Sequence, residues 1–307
     1  MVIDAPNPTP CPMCGARESR LVTASSVHLA RDEGLRFHWV RCQECDLVRL
    51  VDPPTEAALS AYYGPDYLPH RGPRAWGRWA PLVRWAARGV DRRRVRIARR
   101  ALDRPPGPPD PGTTRVLDLG CGRPTFLRAF QAATGGRGTG VDSSDAGWRE
   151  DLPGAWSDLD LRVGRVETTG LPSGSFDIVT LWHVLEHLPD PRSVLRHLFD
   201  LTLPGGALVA EVPDHASLTR RLQQARWIGY DTPRHTVAYE PHTLRRLLGE
   251  TGWEVETVHR WGSMDPWVLW WLGRQVGKGR ALDGSLEGDF LPFLAGKILT
   301  LPVAVLQ

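Results

Sequence analysis

The sequence predicts an α/β protein with a doubly wound, mostly parallel sheet, preceded by a small cysteine-rich module. From about residue 115 onward, short apolar runs alternate with stretches of helical periodicity, which is typical of strand-helix-strand units. Four of the five cysteines lie within the first 60 residues, in a pattern of short strands and turns. With 307 residues, 41% of them hydrophobic, the chain can bury the core that such a fold needs.

The composition excludes several classes of protein. The 38 basic and 35 acidic residues leave a net charge of +3, which is too balanced to indicate a polyanionic partner. The first residues lack a charged start followed by an apolar run, so we expect no secretory signal and a cytoplasmic location. The apolar segment 290–307 contains Lys297 and two prolines and is too short for a membrane span. Cysteines in a reducing compartment favour a metal site over disulfides.

The cysteines of the N-terminal module form two C-x2-C pairs, separated by 27 residues. The pairs are Cys11 with Cys14 and Cys42 with Cys45. Each pair can place two thiolates on one tight turn, and two such turns close a tetrahedral site that suits zinc. Because four protein ligands leave no position for water, we expect a structural metal in a zinc-ribbon module over residues 1–60. Four unligated core cysteines are the alternative.

A basic segment follows, over residues 61–112. Twelve arginines lie between residues 71 and 104, interspersed with tryptophans, and the run ends in PPGPPDPG. This pattern predicts one or two basic helices and a stiff proline-rich linker.

The main domain is predicted over residues 113–262, and an apolar tail of undefined fold over 263–307. Its predicted strands are Arg115–Leu119, Gly138–Val141, Phe176–Trp182, Ala207–Val212 and Glu254–His259. Its predicted helices include Phe126–Ala133, Pro191–Leu201 and His242–Thr251.

The first strand of this domain runs into a glycine turn that indicates a nucleotide site. Gly120 and Gly122 allow the backbone to turn sharply and to approach a ligand next to the start of a helix. At the end of the next strand, Asp142 is placed to accept hydrogen bonds from both hydroxyls of a ribose. Thr125 stands where a dinucleotide fingerprint needs glycine or alanine, and no Gly-Lys-Ser/Thr follows. The dinucleotide and phosphate-loop interpretations are therefore weakened.

The order of several motifs resembles that of class I S-adenosylmethionine-dependent methyltransferases. The motifs are VLDLGCG, GVD, LPSGSFDIVTLWHVLEHLPDP, LPGGALVAEVP and DTPRHTVAYEPHTLRRLLGETGWEV. With the N-terminal ribbon and YYGPDY, the chain is similar to a bacterial group that acts on small molecules and sugars. The resemblance covers about residues 11–262. It implies a Rossmann-like sheet of seven strands with the cofactor above their carboxyl ends.

The resemblance also implies which residues bind the cofactor. Asp142 would hold the ribose hydroxyls, and Asp118 would support the glycine loop. Pro124 replaces a third glycine, which adds bulk and removes a backbone donor, so a poorer fit of the methionine end is expected. The expected cofactor-binding residues are Asp118, Gly120, Gly122, Asp142, Val166 and Trp182.

A hydroxyl acceptor would need a base, and histidine has a suitable pKa. His183 directly follows the predicted strand Phe176–Trp182, and His235 closes the run from Tyr230 to His235, which we interpret as a lid that faces the acceptor. His235 is the first candidate for the base, and Arg234 suits an anionic group on the acceptor. A salt-bridged loop with a purely structural role is the alternative.

The resemblance therefore implies methyl transfer, by in-line displacement, to a small-molecule acceptor such as a sugar or a glycan or lipid precursor. The basic helix could then contact a diphosphate or an anionic membrane surface at the periphery of the inner membrane. An RNA methyltransferase is the alternative, because zinc ribbons and arginine-rich helices also bind nucleic acid. A third interpretation is a non-catalytic binding module whose cofactor pocket has degenerated at Pro124. The sequence predicts no oligomeric state.

Overall fold

The computed structural model describes residues 9–29, 34–63, 67–102, 112–149, 151 and 154–304. Most of the predicted proline-rich linker lies outside these described residues. The strands are β1 (Ser19–Ser25), β2 (Phe37–Cys42), β3 (Val48–Leu50), β4 (Arg115–Leu119), β5 (Arg137–Asp142), β6 (Asp160–Val163), β7 (Phe176–Trp182), β8 (Thr202–Glu211) and β9 (Val237–Ala238). The α-helices are α1 (Glu56–Ser60), α2 (Leu68–Arg71), α3 (Ala80–Leu102), α4 (Thr125–Thr134), α5 (Pro191–Leu201), α6 (Leu218–Gln223), α7 (Pro241–Gly249), α8 (Pro266–Gly277) and α9 (Phe290–Ala304).

The chain divides into two compact units. The sheet unit takes its described residues from the ranges 87–212 and 244–259. The ribbon unit takes its described residues from the ranges 1–86, 213–243 and 260–307. The predicted boundaries at residues 60, 112 and 262 stay predictions.

The sheet unit is built on a parallel sheet in the order β6-β5-β4-β7-β8. The central strands β4 and β7 are apolar along most of their length because helices cover the sheet. Phe126, Leu127 and Phe130 share the buried face of α4. Helix α5 begins at Pro191, where the side chain of Asp190 accepts a hydrogen bond from the backbone of Ser193. The predicted α/β class is confirmed.

Two expectations about this sheet are corrected. Among the described residues the sheet has five strands, whereas the resemblance implies seven, and Glu254–His259 is not a strand. Most side chains of that segment are exposed, so it has no buried face that would hold it against a neighbouring strand. Conversely, β6 was not predicted, because this short strand carries few apolar side chains.

The ribbon unit contains an antiparallel sheet in the order β1-β2-β3-β9. Its core is aromatic, with Trp39 of β2 fully buried and its ring 4.8 Å from that of Tyr230. The apolar tail contains two helices, α8 and α9. Trp271 of α8 packs edge to face against Phe293 of α9. None of the helices in the described ranges is both long and apolar enough to cross a membrane.

Candidate functional site

The glycine turn of the sheet unit connects β4 to α4. Gly120 and Gly122 both have positive φ, +67° and +48°, which favours glycine. A Cβ on Gly120 would lie 2.4 Å from a methyl group of Val184, whereas a Cβ on Gly122 would meet no atom within 4 Å. The turn therefore packs tightly at its first glycine and faces open space at its second, where a ligand can approach the backbone.

Asp142, at the carboxyl end of β5, lies directly beside this turn. Its carboxylate accepts hydrogen bonds from the backbone N–H of Gly122 at 2.8 Å and of Ser144 at 3.1 Å. These two bonds hold the carboxylate in one orientation. A carboxylate offers about four lone-pair positions, and the Ser143 hydroxyl donates to a third one at 3.4 Å, so Asp142 keeps one position and gains a second when a ligand displaces that rotatable hydroxyl.

Asp118 lies on β4, two residues before Gly120. Its side chain is 2% exposed and accepts a hydrogen bond from the hydroxyl of Thr180 at 2.6 Å. Burial raises the pKa of Asp118 to about 7, although the hydrogen bond from Thr180 lowers this pKa in part. Asp118 thus links β4 to β7 through Thr180.

Two buried side chains lie at other strand ends of the same sheet. Val166 is buried in the turn after β6, and Trp182 ends β7 with its ring 5.3 Å from that of Phe126. The indole N–H of Trp182 is buried and has no acceptor among the described residues. A buried donor of this kind usually has a partner, and a ligand above the strand ends would supply one.

Pro124 does not disturb the turn. It has φ of −78° and stands immediately before α4, which begins at Thr125. A proline at the start of a helix removes an N–H that has no partner within the helix. The glycine turn, the Asp142 carboxylate and the buried Trp182 N–H together fit an adenosyl ligand.

His183 follows Trp182 in a left-handed conformation, with φ of +60°. Its ring nitrogens lie 3.3 Å from a carboxylate oxygen of Glu186 and 3.2 Å from one of Glu211. Burial opposes a charge on the ring, but the two carboxylates outweigh it and raise the pKa of His183 to about 9. His183 is therefore an imidazolium at neutral pH.

We expect the stabilising contribution of His183 to depend on pH. Because its folded pKa is raised above the ordinary value of 6.5, the contribution is fully present below pH 6.5 and is lost as the pH rises through 9. Urea unfolding of the wild type and of His183→Asn should show the largest difference in free energy at pH 6, on the order of 3 kcal/mol. His259→Asn, at an exposed position, is the control. A difference that stays constant from pH 6 to pH 10 contradicts this assignment.

Arg234 lies in the ribbon unit and is 3% exposed. Its guanidinium forms a two-pronged ion pair with Asp231, donates to the carbonyl oxygen of His28 at 2.9 Å and lies over the ring of Tyr67. Burial opposes ionisation of Asp231, but the charge of Arg234 and its hydrogen bonds outweigh it and lower the pKa to about 2. Arg234 thus engages a carboxylate of its own unit.

His235, also in the ribbon unit, is held through Nδ1. This nitrogen donates a hydrogen bond to the carbonyl oxygen of Gly229 at 2.8 Å, so the neutral ring carries its lone pair on Nε2. Nε2 lies 4.0 Å from a carboxylate oxygen of Asp231.

Sequence reasoning missed the two carboxylates that face His183. Glu211 ends β8, beside β7 in the sheet, so its place at a strand end was a signal.

Sequence reasoning also missed a buried hydrogen-bonded chain in the ribbon unit. His215 contacts Tyr230 and Glu240, each at 3.0 Å, and Glu240 pairs with Arg41. No local pattern indicates this chain.

The four cysteines of the N-terminal pairs form one cluster. The sulfur of Cys11 lies 3.5 Å from that of Cys45, that of Cys14 lies 3.5 Å from that of Cys42, and all four lie within 4.8 Å of one another. A tetrahedral zinc site with Zn–S bonds of about 2.3 Å requires S···S distances of about 3.8 Å. The sulfurs are thus placed to hold a zinc ion.

Comparisons with known proteins are consistent with this geometry. A family profile described as a methyltransferase domain matches residues 84–258, more than half of the chain. Over 169 residues the chain is 31% identical to the ubiquinone biosynthesis O-methyltransferase of Xanthomonas axonopodis pv. citri (strain 306), covering 52% of this chain and 70% of that protein.

Another relative is the uncharacterized 37.1 kDa protein in transposon TN4556 of Streptomyces fradiae. It is 37% identical over 179 residues, and the chain spans about half its length, 47%. Among solved structures, the S-adenosylmethionine-dependent methyltransferase of Mesorhizobium loti matches with 21% identity and a TM-score of 0.42, covering 55% of this chain and 84% of that one.

Proposed function

The chain belongs to the methyltransferase-domain family, and on that premise we propose that it transfers a methyl group from S-adenosylmethionine to a hydroxyl group of a small molecule. The observation that supports this acceptor is the 31% identity to a ubiquinone biosynthesis O-methyltransferase, 70% of whose length is covered. The balanced net charge of +3 agrees with an acceptor that is not a polyanion.

The cofactor would be held by side chains and backbone at the strand ends. The carboxylate of Asp142 would accept the ribose hydroxyls, the open side of Gly122 would admit the ligand next to the backbone, and the buried N–H of Trp182 would donate to it. When bound, S-adenosylmethionine supplies a methyl group on a positively charged sulfur. The protein then has to align the acceptor, exclude water and take up the acceptor's proton.

His235 stays our candidate for the base that takes up this proton. The bond from Nδ1 to Gly229 orients the ring, and Nε2 is the nitrogen that would receive the proton. The Asp231 carboxylate, which Arg234 holds in place, would stabilise the resulting imidazolium. Arg234 would then act as a positioning residue. An imidazolium at His183 would favour an acceptor in its anionic form.

We further propose that Cys11, Cys14, Cys42 and Cys45 bind a structural zinc ion. The support is their mutual distance and their C-x2-C spacing. A cytoplasmic location and contact of the basic segment with an anionic membrane surface stay predictions from the sequence.

The acceptor class can be tested with methyl-labelled S-adenosylmethionine and three acceptor panels: phenols and catechols, nucleotide-linked sugars, and total RNA. We expect label in an alkali-stable ether on a small molecule.

His235→Asn should lower kcat at pH 7 about 100-fold, which is typical for loss of a general base. The KM for the cofactor should stay unchanged.

His259→Asn, at an exposed position, is the matched control and should retain full activity. Label that enters RNA alone, with a steep salt dependence of binding, would favour the RNA alternative. Full activity of His235→Asn would exclude that residue as the base.

A further inference from the structure

Arg49 of β3 is a buried cation without a carboxylate partner. The residue is 1% exposed, and its Nε–H has no acceptor among the described residues. The other guanidinium nitrogens donate to the hydroxyls of Thr9 and Ser19 at 3.4 Å, which is long for a hydrogen bond. Within the described ranges no carboxylate pairs with Arg49. An arginine is rarely buried in this way, because a charge loses its hydration on burial.

Two other arginines of the ribbon unit that have little exposure do have carboxylate partners. Arg234 pairs with Asp231, and Arg41 pairs with Glu240. The ribbon unit thus follows the usual rule that a buried charge is paired. Arg49 departs from this rule, so another group has to offset its charge.

The register of the ribbon sheet places Arg49 on the face that carries Cys42. Val40 is the partner of Arg49 on β2, and Cys42 lies two positions further along that strand, so the three side chains share one face. Diagonal neighbours on adjacent strands are about 7–8 Å apart, which is within reach of a long side chain. The side chain of Arg49 can therefore extend toward a cysteine of the cluster.

The two hydroxyls that contact the guanidinium show where its charge lies. Ser19 of β1 is the partner of Cys42, and directly opposed side chains in an antiparallel pair have Cβ atoms about 4.5–5.5 Å apart. Thr9 comes two residues before Cys11. The guanidinium thus contacts close neighbours of two of the four cysteines, one from each C-x2-C pair.

The cysteine cluster would present the opposite charge. Four thiolates outweigh the charge of one Zn²⁺ and leave a dianion. Cys11, Cys42 and Cys45 are each at most 5% exposed, so water can solvate this negative charge only in part. Electrostatic attraction is strong where water is excluded, so a buried cation beside the cluster stabilises the thiolates.

We propose that Arg49 compensates the negative charge of the zinc-bound cysteines, an inference that rests on the structural zinc ion set out under the proposed function. The guanidinium acts from outside the set of zinc ligands, through its charge and its N–H donors. Without zinc the cysteines can take up protons and become neutral, which leaves the buried cation without a counter-charge. Arg49 thus favours the zinc-bound ribbon over the metal-free one.

The test compares the zinc affinity of the full-length wild type, Arg49→Met, Arg49→Lys and Arg20→Met. Methionine is long but uncharged, whereas lysine keeps the charge. Arg20, an exposed arginine of β1, provides the matched control. Competition for Zn²⁺ with a chromophoric chelator should show roughly 10- to 100-fold weaker binding by Arg49→Met, which is typical for loss of a group that supports metal ligands. Arg49→Lys and Arg20→Met should bind zinc nearly as tightly as the wild type.

A second measurement separates the charge of Arg49 from its packing. When Co²⁺ replaces Zn²⁺, a nearby positive charge lowers the energy of the sulfur lone pairs. The thiolate-to-cobalt charge-transfer band of Arg49→Met should therefore move to longer wavelength, and that of Arg49→Lys should not. A purely structural role of Arg49 would weaken metal binding without moving this band.

Unchanged zinc affinity of Arg49→Met would overturn the proposal, and so would equal losses in Arg49→Met and Arg49→Lys. If Arg49→Met does not fold even with excess zinc, Arg49→Lys decides: affinity close to that of the wild type supports the proposal, and a loss of about 10-fold or more overturns it. If the wild type binds no zinc, the structural zinc ion itself is wrong and the role of Arg49 with it. The methyl-transfer assay is independent of all these outcomes.

Discussion

Replacing Asp142 with alanine should weaken binding of S-adenosylhomocysteine, the demethylated product, about 100-fold or more. The carboxylate of Asp142 is the acceptor that we propose for the ribose hydroxyls, and hydrogen bonds to a charged group contribute about 1.5–3 kcal/mol each. The substitution also removes the acceptor of the Gly122 N–H, so the turn loses the bond that orients it. Calorimetric titration of the zinc-loaded protein measures the effect.

Asp145→Ala is the matched control for this measurement. Asp145 lies three residues further along the same loop, is half-buried, and pairs with Arg149 at 3.3 Å. A surface pair of this kind contributes little to stability, so we expect the control to bind like the wild type. Thermal melts of both variants check that the sheet unit stays folded. Equal affinity of Asp142→Ala and the wild type would remove the proposed ribose contact.

Replacing Cys42 with serine should remove the metal and unfold the ribbon sheet. Cys42 is the last residue of β2, and the fully buried Trp39 lies three residues earlier on the same strand. Zinc binding by four thiolates contributes directly to folding, by about 10–16 kcal/mol in small zinc-finger peptides, so losing one ligand is expected to cost several kcal/mol. Metal analysis should find one zinc per wild-type chain and much less in Cys42→Ser.

The fifth cysteine provides an internal control for this experiment. Cys121 is buried in the glycine turn of the sheet unit and does not belong to the cluster. Cys121→Ser should keep its zinc, and amide exchange of β1 and β2 should stay slow. If metal-depleted wild type shows the same slow exchange, the ribbon folds without zinc and the structural role is wrong.

The strands and helices with strong local signals were predicted within a residue or two. Strands β4 and β7 have the predicted bounds, because parallel strands covered on both faces are nearly continuous apolar runs. Helix α5 also has its predicted bounds, since Asp190 caps it and Pro191 occupies its first position. These signals lie within a few neighbouring residues, so they can be read without knowledge of the fold.

Elements stabilised by distant partners were predicted less well. The two-residue strand β9 exists because Val237 and Ala238 pair with β3, almost two hundred residues earlier. Segment 254–259 has an alternating pattern that resembles a strand, yet it pairs with no strand among the described residues. The helices of the tail pack against each other through aromatic side chains, as Trp271 of α8 and Phe293 of α9 do.

The sequence by itself determined the α/β class, the four-cysteine cluster and the glycine turn with its acidic residue on the next strand, because these depend on spacing and periodicity along the chain. Only the tertiary structure decided the charge state of His183 and the buried chain of His215, Tyr230 and Glu240. The first depends on Glu211, 28 residues away, and the second on Arg41, 199 residues before Glu240. Burial and electrostatic interactions between residues distant in sequence arise only once the chain has folded.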